Sequence, residues 1–154
     1  MQVTARIDYA LRACAELAAA VGEGPVKAEA LSTAQGIPRN YLEAILVDLR
    51  RSGVVYSQRG ADGGYWLKAP PGEVSLADIV RAVDGPLANV RGELPDALVY
   101  EGPAAGLTAV WVAVRAALRS VLEDVTLADL VDGRLPAHVK ALVDDPRAWT
   151  SRWA

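Results

Sequence analysis

The sequence predicts a mainly helical fold that carries one small β-hairpin. Apolar residues recur at steps of three and four over most of the chain, which is the period of amphipathic helices. Two short β-favouring runs lie on either side of the glycine-rich stretch Gly60–Gly64. The apolar fraction of 52% is sufficient for a core in a chain of 154 residues.

The first predicted helix spans Thr4–Val21, with Thr4 as a favourable N-cap. The only cysteine of the chain, Cys14, lies within its apolar stripe. Free cysteines are among the most buried residue types, so we expect Cys14 to be a small core residue. With one cysteine and one histidine, the chain offers neither an internal disulfide nor a site built from several thiolates.

Two further short helices follow, separated by a tight turn. The second spans Val26–Ala34, with Ala30 and Leu31 facing the core, and the third runs from Pro38 to about Ser52. The connecting segment AQGIPRNYL is similar to a helix-turn-helix, although a generic three-helix core shows the same pattern. The apolar face of the third helix is formed by Leu42, Ile45, Leu46 and Leu49.

The glycine-rich stretch has two interpretations. A glycine loop can cradle a nucleotide phosphate, but a helix whose N-terminus meets the phosphate then follows it. Here Val54–Ser57 precedes the glycines and Tyr65–Lys68 follows them, and both runs predict strands. The stretch is therefore predicted to be a hairpin tip, where glycines allow positive φ and close backbone approach. Three helices followed by a hairpin is the order of a winged helix.

The second half predicts a fourth helix, a long connection and a longer fifth helix. Ser75 caps the fourth helix, Leu76–Val83, and an irregular connection over 85–106 follows, in which Asp96–Tyr100 is a candidate helical turn. The fifth helix covers about Ala104–Glu123. Its heptad-like seam predicts pairing with a second copy, although packing within one domain gives the same pattern. The seam residues are Leu107, Val110, Trp111, Val114, Leu118, Val121 and Leu122.

The C-terminal part predicts two short helices and a tail. Thr126 caps a further turn of helix, Leu127–Val131, and Pro136–Asp144 predicts a last short helix. The tail carries Trp149 and Trp153. These tryptophans dock either on the body of the protein or on a partner.

The charge is unevenly distributed along the chain. The net charge is −3, yet residues 1–68 carry 8 Lys/Arg against 7 Asp/Glu, whereas residues 69–154 carry 8 against 12. Charge distribution matters more than the sum for DNA binding. No run reaches the roughly 18 uninterrupted apolar residues of a membrane span, and the N-terminus lacks the pattern of an export signal. We expect a cytoplasmic protein that does not contact a membrane.

Taken together, these motifs resemble a family of bacterial regulators, the Rrf-two superfamily that includes IscR, NsrR and CymR. The resemblance covers about residues 1–132 and implies a homodimeric winged helix-turn-helix regulator, expected to be a repressor, that binds double-stranded DNA. The segments that carry it are RIDYALRACAELA (6–18), IPRNYLEAILVDLRRSGVVYSQRGADGGYWLKAP (37–70), SLADIVRAVDG (75–85) and VWVAVRAALRSVLEDVTLADLV (110–131). The implied division is a DNA-binding domain (1–85), a loop (86–106), a dimerisation helix region (107–132) and a tail (133–154).

In this interpretation the third helix enters the major groove with its N-terminal residues at the base edges. Arg39, Asn40 and Glu43 lie off its apolar face. Arginine can bind guanine, asparagine can bind adenine, and glutamate can accept a hydrogen bond from cytosine. Tyr41 resembles the family's tyrosine at this position, and both core support and a phosphate contact are open to it.

Further candidate contacts lie outside the start of the third helix. Arg50 and Arg51 either contact phosphates or form a solvated charged pair. Thr4 and Arg6 open the first helix, whose N-terminus can meet phosphates. A lone arginine at a hairpin tip, Arg59, suits a narrow minor groove with its negative potential. The full set of candidate DNA contacts is Thr4, Arg39, Asn40, Tyr41, Glu43, Arg50, Arg51, Gln58 and Arg59.

One region departs from the family's pattern. The best-known members hold an iron–sulfur cluster on three cysteines in the loop before the long helix, and here residues 85–106 contain neither cysteine nor histidine. Because such clusters depend mainly on thiolates, we expect no cluster, no other metal and no cofactor. Asp8 lies at the position where some cluster-binding relatives have an acidic residue that ligates the cluster of the partner chain. Without the cysteines, we expect Asp8 to be a surface or interface residue. Three alternatives to the cluster are open. The loop binds a small molecule with the help of Arg91, Tyr100 or Trp111, it binds a partner protein, or the protein has no effector.

Two other classes of function are weighed against this interpretation. A protein-interaction module would keep the winged-helix body and act through the acidic second half and the tail, but retention of Arg39, Asn40 and Arg59 favours DNA binding. The sequence has no G-x-x-x-x-G-K-[ST] loop and no Cys/His nucleophile pair. We therefore expect that the protein is not an enzyme.

Overall fold

Within residues 2–150, which the computed structural model describes, three α-helices, a β-hairpin and four further α-helices follow one another along the chain. This order confirms the predicted mainly helical fold with one small hairpin. The helices are α1 (Ala5–Ala19), α2 (Ala28–Gln35), α3 (Arg39–Arg51), α4 (Leu76–Asp84), α5 (Leu107–Leu122), α6 (Leu127–Asp132) and α7 (Ala137–Asp144), and the strands are β1 (Val55–Gln58) and β2 (Gly64–Leu67).

A few local predictions differ from the structure. The fifth helix begins at Leu107 rather than at Ala104, because Gly102–Ala104 forms a separate 3-10 turn. A helical turn was predicted at Asp96–Tyr100, whereas the structure has a 3-10 turn at Pro95–Ala97 that begins with a proline. Ala30 was expected to face the core with its neighbour on α2, but it is exposed.

The tail follows the prediction only in part. Its last helix is confirmed as α7, and Trp149 closes a 3-10 turn that begins at Pro146. Trp149 is 75% exposed, although its indole Nε1 donates to the carbonyl of Val143 at 2.8 Å. Trp153, the other tryptophan of the tail, lies outside the described residues.

Helix α1 is the centre of the core. It packs against α2, α3, α4, α6 and β2. Its innermost residues, Ala10, Ala13 and Cys14, are fully buried and small, which lets the surrounding elements approach its backbone closely. Cys14 is thus the core residue that the sequence predicts. The predicted apolar face of α3 is also fully buried and consists of Leu42, Ile45, Leu46 and Leu49.

One residue of the α1–α2 connection adds a backbone bridge between the hairpin and the helical body, beside the packing of the strands on α1 and α3. Its strands pair antiparallel, with Val55 opposite Leu67. Val26 forms an isolated bridge with Tyr65, in which each backbone N–H donates to the other's carbonyl, at 2.9 and 2.8 Å. Residue 26 therefore acts as a third, one-residue strand that fixes the hairpin beside α1 and α2.

Two glycines of the hairpin are required by close backbone contacts. A Cβ atom at Gly63 would lie 2.2 Å from the carbonyl oxygen of Gln58, and one at Gly64 would lie 2.6 Å from the carbonyl oxygen of Val26. Neither contact can be relieved by moving a side chain, since both involve backbone atoms. The close backbone approach predicted for this stretch is confirmed.

A second attachment joins α4 to the segment that follows α5. Ser75 and Thr126 form an isolated antiparallel bridge, and each stands at the N-cap of the helix after it. The two segments also resemble each other in sequence, as VSLADIV (74–80) and VTLADLV (125–131). We call this contact between residues 74–78 and 125–129 the joint.

The hairpin attachment can be tested by replacing Gly64 with alanine. We expect Gly64→Ala to lower the free energy of unfolding by roughly 2 kcal/mol, because the new Cβ forces the hairpin away from Val26. Chemical denaturation followed by circular dichroism measures this. Gly106→Ala is the matched control, since a Cβ there has open space, and it should change stability by less than about 1 kcal/mol. Equal stability of the two variants would contradict the close contact.

Candidate nucleic-acid interface

The N-terminal half of α3 presents polar side chains to solvent. Arg39, Asn40 and Glu43 are exposed, as predicted, because the opposite face of the helix is buried. Pro38 stands at the N-cap position, and no side chain caps the helix. The exposed groups therefore lie at a helix start whose first backbone N–H groups have no capping side chain.

Arg39 is held by two carboxylates in the free chain. Its Nε donates to Oε1 of Glu43 at 3.0 Å, and its Nη1 lies 3.9 Å from Oε2 of Glu29 on α2. The hydrogen bond to Glu43 is the largest cause that raises the pKa of Arg39 above its ordinary value. Because all three side chains are exposed, water screens the pairs and they hold Arg39 weakly. Arg39 is therefore oriented but free to exchange these partners for a nucleic acid.

Tyr41 bridges α3 and α1 while staying largely exposed. Its ring meets the edge of Tyr9 at a centroid distance of 6.2 Å and an interplanar angle of 80°. The guanidinium of Arg12 lies 5.5 Å from the centroid of the Tyr9 ring. Tyr41 is 58% exposed, so its ring supports the contact between the two helices without entering the core.

The two candidate DNA contacts at the start of α1, Thr4 and Arg6, point in different directions. Thr4 is the N-cap, and its Oγ1 accepts from the backbone N–H of Ile7 at 3.3 Å. Arg6 points inward, where its Nε donates to the carbonyl of Val83 at 2.9 Å and its guanidinium pairs with Asp48. Thr4 is exposed at the helix N-terminus, whereas Arg6 ties α1 to α3 and α4.

The remaining basic candidates follow the end of α3 into the hairpin. Arg50 and Arg51 are exposed in the last turn of α3. Nη1 of Arg50 lies 3.5 Å from Oγ of Ser57 on β1, and Nη1 of Arg51 lies 3.9 Å from Asp48. Gln58 ends β1 and Arg59 begins the turn, and both are exposed. Within residues 2–150, no carboxylate pairs with Arg59.

No sequence pattern predicts the contact between Glu29 and Arg39. This exposed residue of α2 reaches Arg39 because α2 and α3 pack against each other. No local spacing reports that approach. The pattern of residues 39–43 was informative because a single helix positions them.

The apolar seam of α5 is uncovered in the single chain. None of the residues of α5, Leu107–Leu122, is buried, and Val110 is 51% exposed. Beside Leu118 and Leu122 lies an apolar groove of about 180 Å³ that reaches Ile7 of α1. The seam is therefore available to a further surface.

The same region has the length and composition of a candidate membrane span. The helical stretch Gly102–Leu122 reaches the length of a membrane span and has a mean hydropathy of 1.4. Arg115 and Arg119 interrupt this stretch, so it is not an uninterrupted apolar run. By length and composition alone, a membrane-spanning helix has the same properties.

The loop between α4 and α5 is held by protein contacts. Leu98 is 5% exposed and Pro95 is fully buried. Oγ1 of Thr108 donates to the carbonyl of Leu98 at 2.8 Å, and Asp96 pairs with Arg115 on α5. The hydrogen bond from Arg115 is the largest cause that lowers the pKa of Asp96. The loop is thus anchored on α5 at residues 95–98.

A three-helix body with a β-hairpin wing, an exposed polar face on α3 and a long helix with a bare seam define a winged helix-turn-helix transcriptional regulator. Residues 3–133 match the model of the Rrf2 family, described as iron-dependent transcriptional regulators, and the chain belongs to this family. The predicted family is confirmed, and its members are transcriptional regulators rather than enzymes.

Individual relatives agree with this assignment. An HTH-type transcriptional regulator of Mycobacterium tuberculosis H37Rv is 49% identical over 98% of this chain and 94% of its own length. CymR of Bacillus subtilis is 34% identical over 90% of this chain and 98% of its own length. The structure of CymR, the global cysteine regulator of B. subtilis, matches 86% of this chain and 98% of its own with a TM-score of 0.73 and 33% identity. The structure of T. potens IscR matches 97% of each chain with a TM-score of 0.70 and 29% identity.

The residues of this chain do not fit the iron–sulfur cluster that the family implies. The loop before α5 supplies no thiolate or imidazole. Cys14 is fully buried, and burial raises the pKa of its thiol to about 12, so it stays protonated and cannot act as a thiolate ligand. Asp8 pairs with Arg12 at 3.0 Å. Within residues 2–150, no three His, Cys, Asp or Glu side chains come together in a metal-binding arrangement.

The state of Cys14 can be tested with a thiol reagent. We expect the native protein to leave Ellman's reagent unreacted at pH 8, because its buried thiol is protonated and inaccessible. In guanidinium chloride the same protein should react stoichiometrically, which serves as the positive control. Rapid stoichiometric reaction of the native protein would contradict the burial of Cys14 and reopen it as a ligand.

Proposed function

We propose that this chain is a homodimeric, sequence-specific DNA-binding regulator that acts as a cytoplasmic repressor without an iron–sulfur cluster. The observation that carries the proposal is the exposed polar start of α3 on a helix whose opposite face is fully buried, in a chain of the Rrf2 family. Buried packing fixes the direction of these side chains before DNA arrives, so little ordering is required on binding.

Base recognition is assigned to the start of α3. Arg39 binds guanine after releasing Glu43 and Glu29, and Asn40 binds adenine in the major groove. Glu43 then either accepts from cytosine or stays paired with Arg39. Surface pairs exchange at little cost, so the pairing orients Arg39 more than it inhibits it. Tyr41 offers its exposed hydroxyl to a phosphate from the same surface.

Backbone and minor-groove contacts are assigned to the periphery. Arg50 and Arg51 contact phosphates from the end of α3, and Thr4 does so from the N-terminus of α1. Gln58 and Arg59 enter the minor groove from the hairpin. These positive groups lie in the first 68 residues, apart from the acidic second half. A net charge of −3 is therefore compatible with DNA binding.

Dimerisation is assigned to the seam of α5. Exposing an apolar stripe of a helix to water is unfavourable, and covering it with another surface lowers the free energy. The indole Nε1 of Trp111 is buried without a hydrogen-bond partner among residues 2–150. This donor is enclosed within the single chain, so a partner chain would supply apolar cover for exposed seam residues such as Val110 rather than an acceptor for the indole. Transcription factors of this class bind two half-sites as dimers, which favours a second copy over a membrane.

The missing cluster ligands favour a regulator that does not sense through iron. The loop before α5 is already anchored through Pro95, Leu98 and the pair of Asp96 with Arg115. An effector is not required to order it. A regulator that works mainly through a partner protein is the competing outcome of the DNA-binding test.

The DNA contacts can be tested by gel shift with duplex from the region upstream of the protein's own gene. We expect Arg59→Ala and Asn40→Ala each to weaken specific binding about tenfold, because each removes one groove contact. Arg147→Ala is the matched control, an exposed arginine of the tail that pairs with Asp145, and should bind like the unaltered protein. Higher salt should weaken all specific complexes. If the unaltered chain forms no specific complex even at low salt, the DNA-binding proposal fails and the partner-protein alternative gains.

The dimer can be tested by placing a charge in the seam. We expect Val114→Asp to yield a folded monomer in analytical ultracentrifugation, because a buried carboxylate at an apolar interface is costly. Ala116→Asp, at an exposed position off the seam, should remain a dimer. Circular dichroism should show equal helix content in both variants. A dimeric Val114→Asp variant would exclude the seam as the interface.

A further inference from the structure

The joint consists of two segments with the same sequence pattern and the same local structure. In the first, Oγ of Ser75 accepts from the N–H of Asp78 at 3.1 Å while the Asp78 carboxylate accepts from the N–H of Ser75 at 3.0 Å. In the second, Thr126 and Asp129 repeat these bonds at 3.1 and 2.9 Å. Both are capping boxes, so each helix of the joint begins at a fixed residue.

Backbone hydrogen bonds connect the two segments directly. The N–H of Leu76 donates to the carbonyl of Val125, and the N–H of Leu127 donates to the carbonyl of Val74, each at 2.9 Å. Val74, Val125 and Leu127 are 5%, 2% and 0% exposed. The joint is therefore a buried and fully paired contact, which leaves it little freedom to rotate.

The joint connects the winged body, formed by α1 to α4 and the hairpin, to the C-terminal end of α5, which we call its base. The first segment begins α4, which packs on α1, and the second follows directly on the last residues of α5. Surface ion pairs also connect α4 to the end of α5. Glu123 pairs with Arg81 of α4, and its carboxylate lies 3.0 Å from Nε of Arg119 of α5. The direction in which α5 leaves the winged body is thus set where the two segments meet.

We propose that the joint determines the spacing between the two DNA half-sites that the dimer accepts. The proposal rests on the proposed function, in which α5 carries the partner and α3 reads each half-site. The 16 residues of α5 make a lever of about 24 Å. A rotation of roughly 10° at its base would move its far end by about 4 Å. That displacement exceeds one base-pair step of about 3.4 Å, so small changes at the joint alter the accepted spacing.

Selection of half-site spacing from a DNA library tests this proposal. The variants are Thr126→Val, which keeps the shape of the side chain but removes the hydroxyl of the capping box, and Thr126→Ser, which keeps the hydroxyl. We expect Thr126→Val to remain dimeric and to read the same half-site, but to lower the preference for the original spacing over neighbouring spacings roughly fivefold. Thr126→Ser should restore the original preference, and Ser75→Ala should repeat the broadening from the other segment.

A distance measurement on the dimer without DNA gives a second result. A spin label on Asp62→Cys would mark each hairpin tip, and Cys14 stays unlabelled because it is buried. We expect Thr126→Val to broaden the tip-to-tip distance distribution relative to Thr126→Ser, which a uniform loss of stability would not do.

The outcomes separate the two proposals. If Thr126→Val keeps both the original spacing preference and the original distance distribution, the joint does not set the geometry, whatever the DNA-binding result. If the unaltered chain is dimeric but selects no DNA, the DNA-binding function fails while the distance measurement still decides the role of the joint. A monomeric unaltered chain would overturn both.

Discussion

Every element that positions a candidate DNA contact depends on the burial of α1. This helix packs against α2, α3, α4, α6 and β2 at once, which is possible because Ala10, Ala13 and Cys14 present little volume at the centre. A larger side chain there would push neighbours such as α3 and β2 away from α1. The exposed groups of both elements are thus held in place by small residues that never meet DNA.

Two surfaces remain unsatisfied around this core, and they differ in chemistry. The start of α3 and the hairpin present polar and basic groups, of which Arg59 has no carboxylate partner within the described chain. The seam of α5 presents exposed apolar groups such as Leu107 and Val110. A polyanion suits the first surface and a second copy suits the second. The joint connects the elements that carry these two surfaces.

The sequence predicted the parts of this arrangement that one helix or one hairpin determines. The outward direction of Arg39 and Asn40 follows from the period of α3, and the hairpin follows from strands on both sides of Gly60–Gly64. Contacts between elements could not be predicted in the same way. The pairing of Glu29 with Arg39 and the bridge of Ser75 with Thr126 depend on how distant segments pack. The apolar pattern of α5 was visible, but a dimer seam and a membrane span share it, and only the family and the rest of the fold favour the first.

Native mass spectrometry of the unaltered protein with its own upstream duplex tests the central claim most directly. One spectrum reports the number of chains, the presence of DNA and any bound iron. The account predicts a complex of two chains and one duplex whose mass contains no iron or sulfide. A complex with one chain, no complex with the duplex, or additional mass that matches an iron–sulfur cluster would contradict it.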